Sequence, residues 1–157
     1  MIPEGGRHHA VPSETSTMKR IVFLPIVAAG LLAAAPRAAK RITTYRDIGC
    51  GCCEGWVGAA RAAGYAVELH DLDRTERMRR FALTEATAGC HTSLVDSYIV
   101  EGHVPFEVLA RLLHERPRIR GIALPGMPSG VPGMDGPRGG PSEVVTLEKT
   151  PRVYARV

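Results

Sequence analysis

The sequence predicts one α/β domain, and three patterns support this prediction. β-Branched, apolar runs alternate with stretches whose apolar residues recur at helical spacing, beginning near Arg41. Hydrophobic residues make up 45% of the 157 residues, which is enough for a single core behind an apolar leader. Proline and glycine crowd between Pro125 and Pro141, where a loop is expected instead of a helix.

The leader has the composition of an export signal. Met18-Lys19-Arg20 precedes a short apolar run at residues 21–35, which ends in small residues. This pattern is typical of a secretory signal peptide, predicted over residues 18–39. The run is too short to span a bilayer comfortably, since a span needs about 20 apolar residues. A retained leader would be the only membrane contact expected of this chain.

These features divide the chain into three parts. Met18 is the expected natural start, so residues 1–17 are interpreted as a misassigned or disordered N-terminal extension. The folded domain is predicted over residues 40–157. Because an oxidising compartment favours disulfides, free thiols in an exported domain need a reductant or a metal to keep them unpaired.

The first half of the domain is predicted to alternate strands and helices. Strands are expected at residues 41–45 and 65–69, where β-branched and apolar residues cluster. Helices are expected at residues 53–63, ending before Gly64, and at residues 74–83. The helical side chains expected to face the core are Trp56, Val57, Ala60, Ala63, Met78, Phe81 and Ala82.

The second half is predicted to contain two short strands joined at Asp96-Ser97, one helix and a closing hairpin. The helix has an apolar stripe of Val108, Leu109, Leu112 and Leu113. The predicted segments are strands at 92–95 and 98–101, a helix at 105–116, a strand at 121–124, a Pro/Gly/Met loop at 125–134, and a hairpin of 143–147 with 152–155.

This β-α-β-α-β-β-α order is that of a thioredoxin-like domain, here with a C-terminal Pro/Gly/Met loop and β-hairpin extension. Three of the four cysteines lie in Cys50-Gly51-Cys52-Cys53, directly after the first strand, where thioredoxin-like proteins carry Cys-x-x-Cys. In that topology the loop before the third strand returns to the same turn. This loop ends in Cys90-His91, so a fourth thiol and an imidazole are expected to face the first three.

A thiol cluster at the start of a helix points to metal binding or disulfide chemistry. The unpaired N–H groups of the first helical turn stabilise thiolates, the form that binds metals and attacks disulfides. Thiolate and thioether ligands suit copper(I), and imidazole suits copper and zinc. The candidate ligands are Cys50, Cys52, Cys53, Cys90, His91, His103, Met127 and Met134.

The residues favour copper over three alternatives that stay open. Cys50 and Cys53 are spaced for a small disulfide ring, as in a thiol-disulfide oxidoreductase, but Cys52 is superfluous for that activity. A structural zinc site usually uses two separated pairs of ligands, and adjacent Cys52 and Cys53 match no common iron–sulfur spacing. Glu101 is expected to orient His103 by a hydrogen bond instead of binding metal.

Charge argues against a nucleic-acid partner. Four of the 20 Lys and Arg residues and two of the 16 Asp and Glu residues precede Lys40, which leaves +2 for the rest of the chain. No basic stripe alternates with aromatic residues. The arginines of residues 74–80 are expected to form a solvated helix face. The chain also has no Ser-His-Asp arrangement and no phosphate-binding glycine loop.

Four motifs, in order, carry a resemblance to a known family. They are Cys50-Gly51-Cys52-Cys53-Glu54-Gly55-Trp56, then Cys90-His91-Thr92 leading to Val95-Asp96-Ser97-Tyr98, then Glu101-Gly102-His103-Val104-Pro105, and residues 125–134 with their repeated Pro-Gly-Met. Over about residues 42–154 the sequence resembles the domain-of-unknown-function 411 family, which includes CopG-type periplasmic copper-resistance proteins of Gram-negative bacteria.

The resemblance implies a periplasmic protein with a thioredoxin-like fold that binds copper through the cysteine turn. It also implies ligands from Cys90 and the histidine-containing loop, with the Pro-Gly-Met loop capping the site. A role in copper(I)/copper(II) redox chemistry has been proposed for the family. The expected partners are copper ions and another periplasmic copper-handling protein. Residues 46–48 depart from the Ser-Pro-like lead-in that is common in the family.

Overall fold

A computed structural model describes residues 39–157, which form three helices and seven strands. The N-terminal extension and all of the predicted signal peptide except Ala39 lie outside the described residues. Within residues 39–157, no helix is both long and apolar enough to cross a membrane. The elements are β1 (Arg41–Arg46), α1 (Gly51–Ala62), β2 (Ala66–Asp71), α2 (Arg74–Arg80), β3 (His91–Val95), β4 (Tyr98–Glu101), α3 (Phe106–Glu115), β5 (Gly121–Ala123), β6 (Glu143–Thr146) and β7 (Val153–Arg156).

All seven strands form one mixed sheet in the order β2-β1-β3-β4-β5-β6-β7. The pairs β1/β2 and β4/β5 are parallel, because α1 and α3 provide the crossover connections that parallel neighbours need. The other pairs are antiparallel, including β3/β4, which the predicted tight turn at Asp96-Ser97 joins. The predicted order of elements and the closing β6/β7 hairpin are confirmed.

The core lies between the sheet and the apolar faces of α1 and α3. Trp56, Val57 and Ala60 of α1 are buried, as are Val108, Leu109 and Leu112 of α3, so both predicted stripes are largely confirmed. Burial of such side chains supplies roughly 25 cal/mol per Å² of apolar area removed from water. This packing holds the N-terminus of α1, with its cysteines, next to the C-terminal end of β1.

Two predicted core positions are wrong. Ala63 is exposed because α1 ends at Ala62 and Ala63 already belongs to the C-terminal cap. Ala82 is exposed because α2 ends at Arg80, and the backbone of Ala82 turns away from the helix in a left-handed conformation with φ of 46°. Phe81 is buried as expected, while Met78 is only partly buried.

The prediction of a solvated arginine face on α2 holds for Arg74, Arg79 and Arg80, which are exposed, but it is wrong for Arg77, which is fully buried. Its guanidinium donates hydrogen bonds to two carboxylates, Asp47 and Glu101. A buried cation is tolerated only when it is paired and hydrogen-bonded. Burial works against the charge of Arg77, yet Glu101 and Asp47 together raise the pKa of Arg77 above its ordinary value.

Candidate metal centre

The cysteine turn connects β1 to α1 and is tied to the loop that precedes β3. After β1, the Cys50 N–H donates to the Asp47 carbonyl at 3.1 Å. The Asp47 N–H donates to the Cys90 carbonyl at 3.0 Å. Cys50 is the N-cap residue of α1 and no side chain caps the helix there. The first-turn N–H groups of α1 therefore favour negative charge at the cysteines around them.

Four sulfur atoms meet at this turn. Cys50 and Cys53 are joined by a disulfide, with Cα atoms 5.4 Å apart. Cys52 and Cys90 are free thiols. The Cys52 sulfur lies 3.4 Å from that of Cys50 and 3.7 Å from that of Cys90. The four sulfur atoms all lie within 4.8 Å of one another, so the fold brings Cys90 to the turn as its topology predicts.

Cys90 also belongs to a second group, with His91 and His103. The His103 Nε2 atom lies 3.2 Å from the Cys90 sulfur, and the His91 Nδ1 atom lies 3.7 Å from it. His103 Nδ1 donates to the Pro132 carbonyl at 2.8 Å, which leaves the Nε2 lone pair directed at Cys90. This is the hydrogen-bond arrangement that fixes the tautomer of metal-binding histidines.

His91 is fully buried between the Trp56 and His103 rings, with ring centroids 4.8 and 4.9 Å away. Its Nε2 atom has no hydrogen-bond partner among the described residues. An unpartnered buried nitrogen usually costs about 1–3 kcal/mol. His91 therefore keeps a free nitrogen donor in a group that also contains Cys90 and His103.

Burial sets the protonation of this group. Burial, followed by the neighbouring Cys52, raises the pKa of Cys90 to about 12. Burial also lowers the pKa of His103, and burial with nearby His103 and Arg77 lowers the pKa of His91 well below its usual range. At neutral pH the metal-free site therefore holds neutral imidazoles and a protonated Cys90. A metal ion that binds Cys90 must displace its proton.

The Pro/Gly/Met loop at residues 125–134 packs against the start of α1. A Cβ atom on Gly133 would clash with the Trp56 backbone and lie 2.8 Å from the Cys52 carbonyl oxygen. Met134 is partly buried against the core, whereas 59% of Met127 is exposed. Pro132 and Gly133 therefore bring the loop close to the thiol site. The two methionines of the loop differ in burial, since only Met134 packs against the core.

Gly133→Ala is expected to lift this loop from α1. The position combines a φ of +81° with backbone contacts that leave no room for a methyl group, so the variant should lose stability and weaken the contact between Pro132 and His103. Gly126→Ala is the matched control, because Gly126 has a φ of +74° in the same loop but open space around its Cα.

Thermal unfolding and the His103 ring resonances would measure both effects. Gly126→Ala should cost about 1 kcal/mol from backbone strain alone, and Gly133→Ala clearly more. Equal losses in the two variants would show that the loop does not need its close approach to α1.

The sequence-based expectation for Glu101 is wrong. Its carboxylate contacts Arg77, the Gly89 N–H and the Thr92 hydroxyl at 2.7, 2.7 and 2.5 Å, and not His103. The partner that holds His103 is a backbone carbonyl from a distant loop. Sequence reasoning missed the supporting residues Arg77, Asp47 and Thr92, since nothing in a charged helix, a polar turn residue and a strand threonine marks them as partners of one another.

Comparisons with known proteins agree with this picture. Residues 87–134 match the model of DUF411, described as a protein of unknown function. The chain is 36% identical to a structure of copper resistance protein copG in its form 1, covering 76% of this chain and 98% of that one, with a TM-score of 0.69. For form 2 of the same protein the identity is 34%, the coverage is again 76% and 98%, and the TM-score is 0.67. Curated proteins gave no match.

Proposed function

The chain belongs to the DUF411 family of CopG-type copper-resistance proteins, and from that premise we propose that it binds copper(I) ions through its clustered cysteines. The observation that carries the proposal is the position of Cys90, which joins the sulfur group to the two histidines. Thiolates prefer copper(I), and a sulfur shared between neighbours can bridge more than one ion. Copper is the cargo of the protein in this proposal.

The proposed ligands are thiolates and imidazole nitrogens, with a methionine thioether as an additional ligand. Cys50, Cys52, Cys53 and Cys90 supply thiolates, and His103 Nε2 and His91 supply nitrogen. Met134, which follows the residues that contact α1, is the better placed thioether, whereas Met127 is mostly exposed. The Cys50–Cys53 disulfide must first accept two electrons and two protons from a dithiol reductant, because a disulfide sulfur is not a thiolate.

The wider setting follows from the same premise. We propose that the protein acts in the periplasm after its leader is removed. We also propose that its domain is thioredoxin-like, extended by the Pro/Gly/Met loop and the hairpin. The structural neighbours are copper-resistance proteins, which supports a role in copper homeostasis. Transfer of copper to another periplasmic copper-handling protein, and interconversion of copper(I) and copper(II), are the further roles to test.

A second candidate function is supported by the Cys50–Cys53 disulfide at the N-terminus of α1. A disulfide at that position is suited to thiol–disulfide exchange, since the helix N-terminus stabilises the leaving thiolate. Cys52, 3.4 Å from the Cys50 sulfur, would be an internal competitor for any substrate thiol. That competitor makes an oxidoreductase the weaker of the two candidates.

Anaerobic titration of the reduced full-length chain with copper(I), in competition with a chromophoric chelator, tests the proposal. We expect the parent chain to bind more than one copper(I) ion. Cys52→Ser should bind fewer ions, and Met134→Leu should bind copper(I) with a modestly lower affinity. Met127→Leu is the matched control and should bind like the parent. No competitive binding by the parent chain would contradict the proposal, and thiol–disulfide turnover that survives Cys52→Ser would favour the second candidate.

A further inference from the structure

Arg77 is a buried residue that connects the two loops carrying the cysteines of the thiol site. Its Nε atom donates to the Asp47 carboxylate at 3.0 Å, and its Nη2 atom donates to the Gly89 carbonyl at 2.8 Å. Asp47 belongs to the turn that leads to Cys50, and Gly89 immediately precedes Cys90. One rigid guanidinium therefore contacts both loops next to their thiols.

The backbone carries this contact to the cysteines. The Asp47 carbonyl accepts from the Cys50 N–H, and the Asp47 N–H donates to the Cys90 carbonyl. A shift of Asp47 relative to Gly89 therefore changes the separation of the two cysteine loops. That separation determines the distance of 3.7 Å between the Cys52 and Cys90 sulfur atoms.

The Arg77 guanidinium is itself fixed by hydrogen bonds to residues of the sheet. Its Nη1 atom donates to Glu101 at 2.7 Å and to the Thr92 hydroxyl at 3.0 Å, and Glu101 also accepts from the Gly89 N–H at 2.7 Å. These contacts need donors in a planar, forked arrangement, which Arg has and Lys lacks. The arrangement is a fixed spacer, because Arg77 is bound both to the sheet, through Thr92 and Glu101, and to the two cysteine loops, through Asp47 and Gly89.

We propose that Arg77 is a positioning residue that fixes the distance between the Cys52 and Cys90 sulfur atoms and, through it, the geometry of the metal site. Its effect on copper rests on the proposed function. Its effect on the thiols does not, because the distance between two sulfur atoms can be tested in metal-free protein. Arg77 itself contacts neither sulfur in this structure and acts through Asp47 and Gly89.

The Cys52–Cys90 disulfide equilibrium reports how well the two thiols are placed to react with each other. In a Cys50→Ser/Cys53→Ser parent only these two thiols remain. Both are oxidised by glutathione disulfide, giving one protein disulfide and two molecules of glutathione, so two electrons and two protons leave the protein. The equilibrium constant gives the effective concentration of one thiol at the other. We expect Arg77→Met and Arg77→Lys to lower it by about tenfold or more, because misplacement by about 1 Å has a large effect on proximity.

Arg120→Met is the matched control. Arg120 also joins distant segments, donating to the carbonyls of Leu147, Phe81 and Ala82 at 2.9, 2.9 and 3.1 Å, but none of these residues adjoins a cysteine. This control should lower the melting temperature without changing the thiol equilibrium. A purely structural role for Arg77 predicts the same behaviour in the Arg77 variants, so equal effective concentrations in parent, Arg77→Met and Arg77→Lys would overturn the proposal.

Two further measurements complete the test. If Arg77→Met does not fold by circular dichroism, Arg77→Lys and Asp47→Asn decide the result, and unfolding of all three would overturn a positioning role in favour of a requirement for folding. In the four-cysteine chain, Arg77→Lys should lower copper(I) capacity or alter the thiolate-to-copper absorption bands. Absence of copper binding by the unmodified chain would refute the proposed function, while the glutathione equilibrium would still decide the role of Arg77.

Discussion

Replacing Cys90 with Ser is expected to weaken copper(I) binding by at least about a hundredfold and to lower the number of ions bound. Residues that only support metal ligands typically contribute 10- to 100-fold in affinity, so loss of a shared ligand should exceed that range. Cys90 lies 3.7 Å from the Cys52 sulfur and 3.2 Å from His103 Nε2, and it is the residue common to both ligand groups. Without Cys90, no ligand is shared between the two histidines and the remaining thiols.

The measurement is the same anaerobic competition titration, with circular dichroism to confirm that the serine variant is folded. His103→Gln should give a smaller but clear loss, because it removes one nitrogen and leaves all four sulfurs. His70→Gln is its matched control, since His70 is exposed and bonds to Glu68 instead of the thiols. Unchanged copper binding in Cys90→Ser, together with loss in Cys52→Ser, would confine the ligands to the turn after β1.

Replacing Glu101 with Gln is expected to lower the free energy of unfolding by about 3–5 kcal/mol. The change is nearly isosteric, but it leaves the buried charge of Arg77 with only the partly exposed Asp47 as a counter-charge. Removing one member of a buried ion pair costs about this much because the remaining charge stays desolvated. Burial raises the pKa of Glu101, so the variant also tests whether the carboxyl group is ionised in the folded protein.

Urea unfolding of the metal-free, fully reduced chain measures this loss. Glu115→Gln is the matched control, because Glu115 pairs with Arg111 on the exposed face of α3, and this variant should lose much less stability than Glu101→Gln. Adding Arg77→Met to Glu101→Gln should recover part of the stability by removing the unpaired charge. A loss in Glu101→Gln no larger than in Glu115→Gln would mean that Glu101 is protonated in the folded state.

The elements near the site could be predicted because their patterns are local. The strand before the thiols, the Asp96-Ser97 turn and the apolar stripe of α3 depend on neighbours a few residues away, and the structure has all three. The meeting of Cys90 with the thiol turn involves residues 38 apart, yet it follows from the order of strands and helices once that order is known.

The supporting contacts could not be predicted in this way. Arg77 lies in a charged segment, and its burial depends on Glu101 and Asp47, which are 24 and 30 residues away. Its neighbours Arg79 and Glu76 remain exposed partners of each other, so helical spacing alone does not distinguish the buried arginine from the solvated one. Nearness in sequence also predicts a contact between Glu101 and His103, but the Glu101 carboxylate bonds to Arg77 instead.

By itself, the sequence determined the α/β order, the cysteine turn, the return of Cys90-His91 and the family to which the chain belongs, because each of these depends on short motifs and their order. Only the tertiary structure decided which long-range partners fill the space beneath the thiols. It buried Arg77, turned Glu101 toward it and gave His103 the Pro132 carbonyl. The physical reason is that desolvation and pairing of polar groups depend on what surrounds them in space, whereas helix and strand periodicity depends on neighbours along the chain.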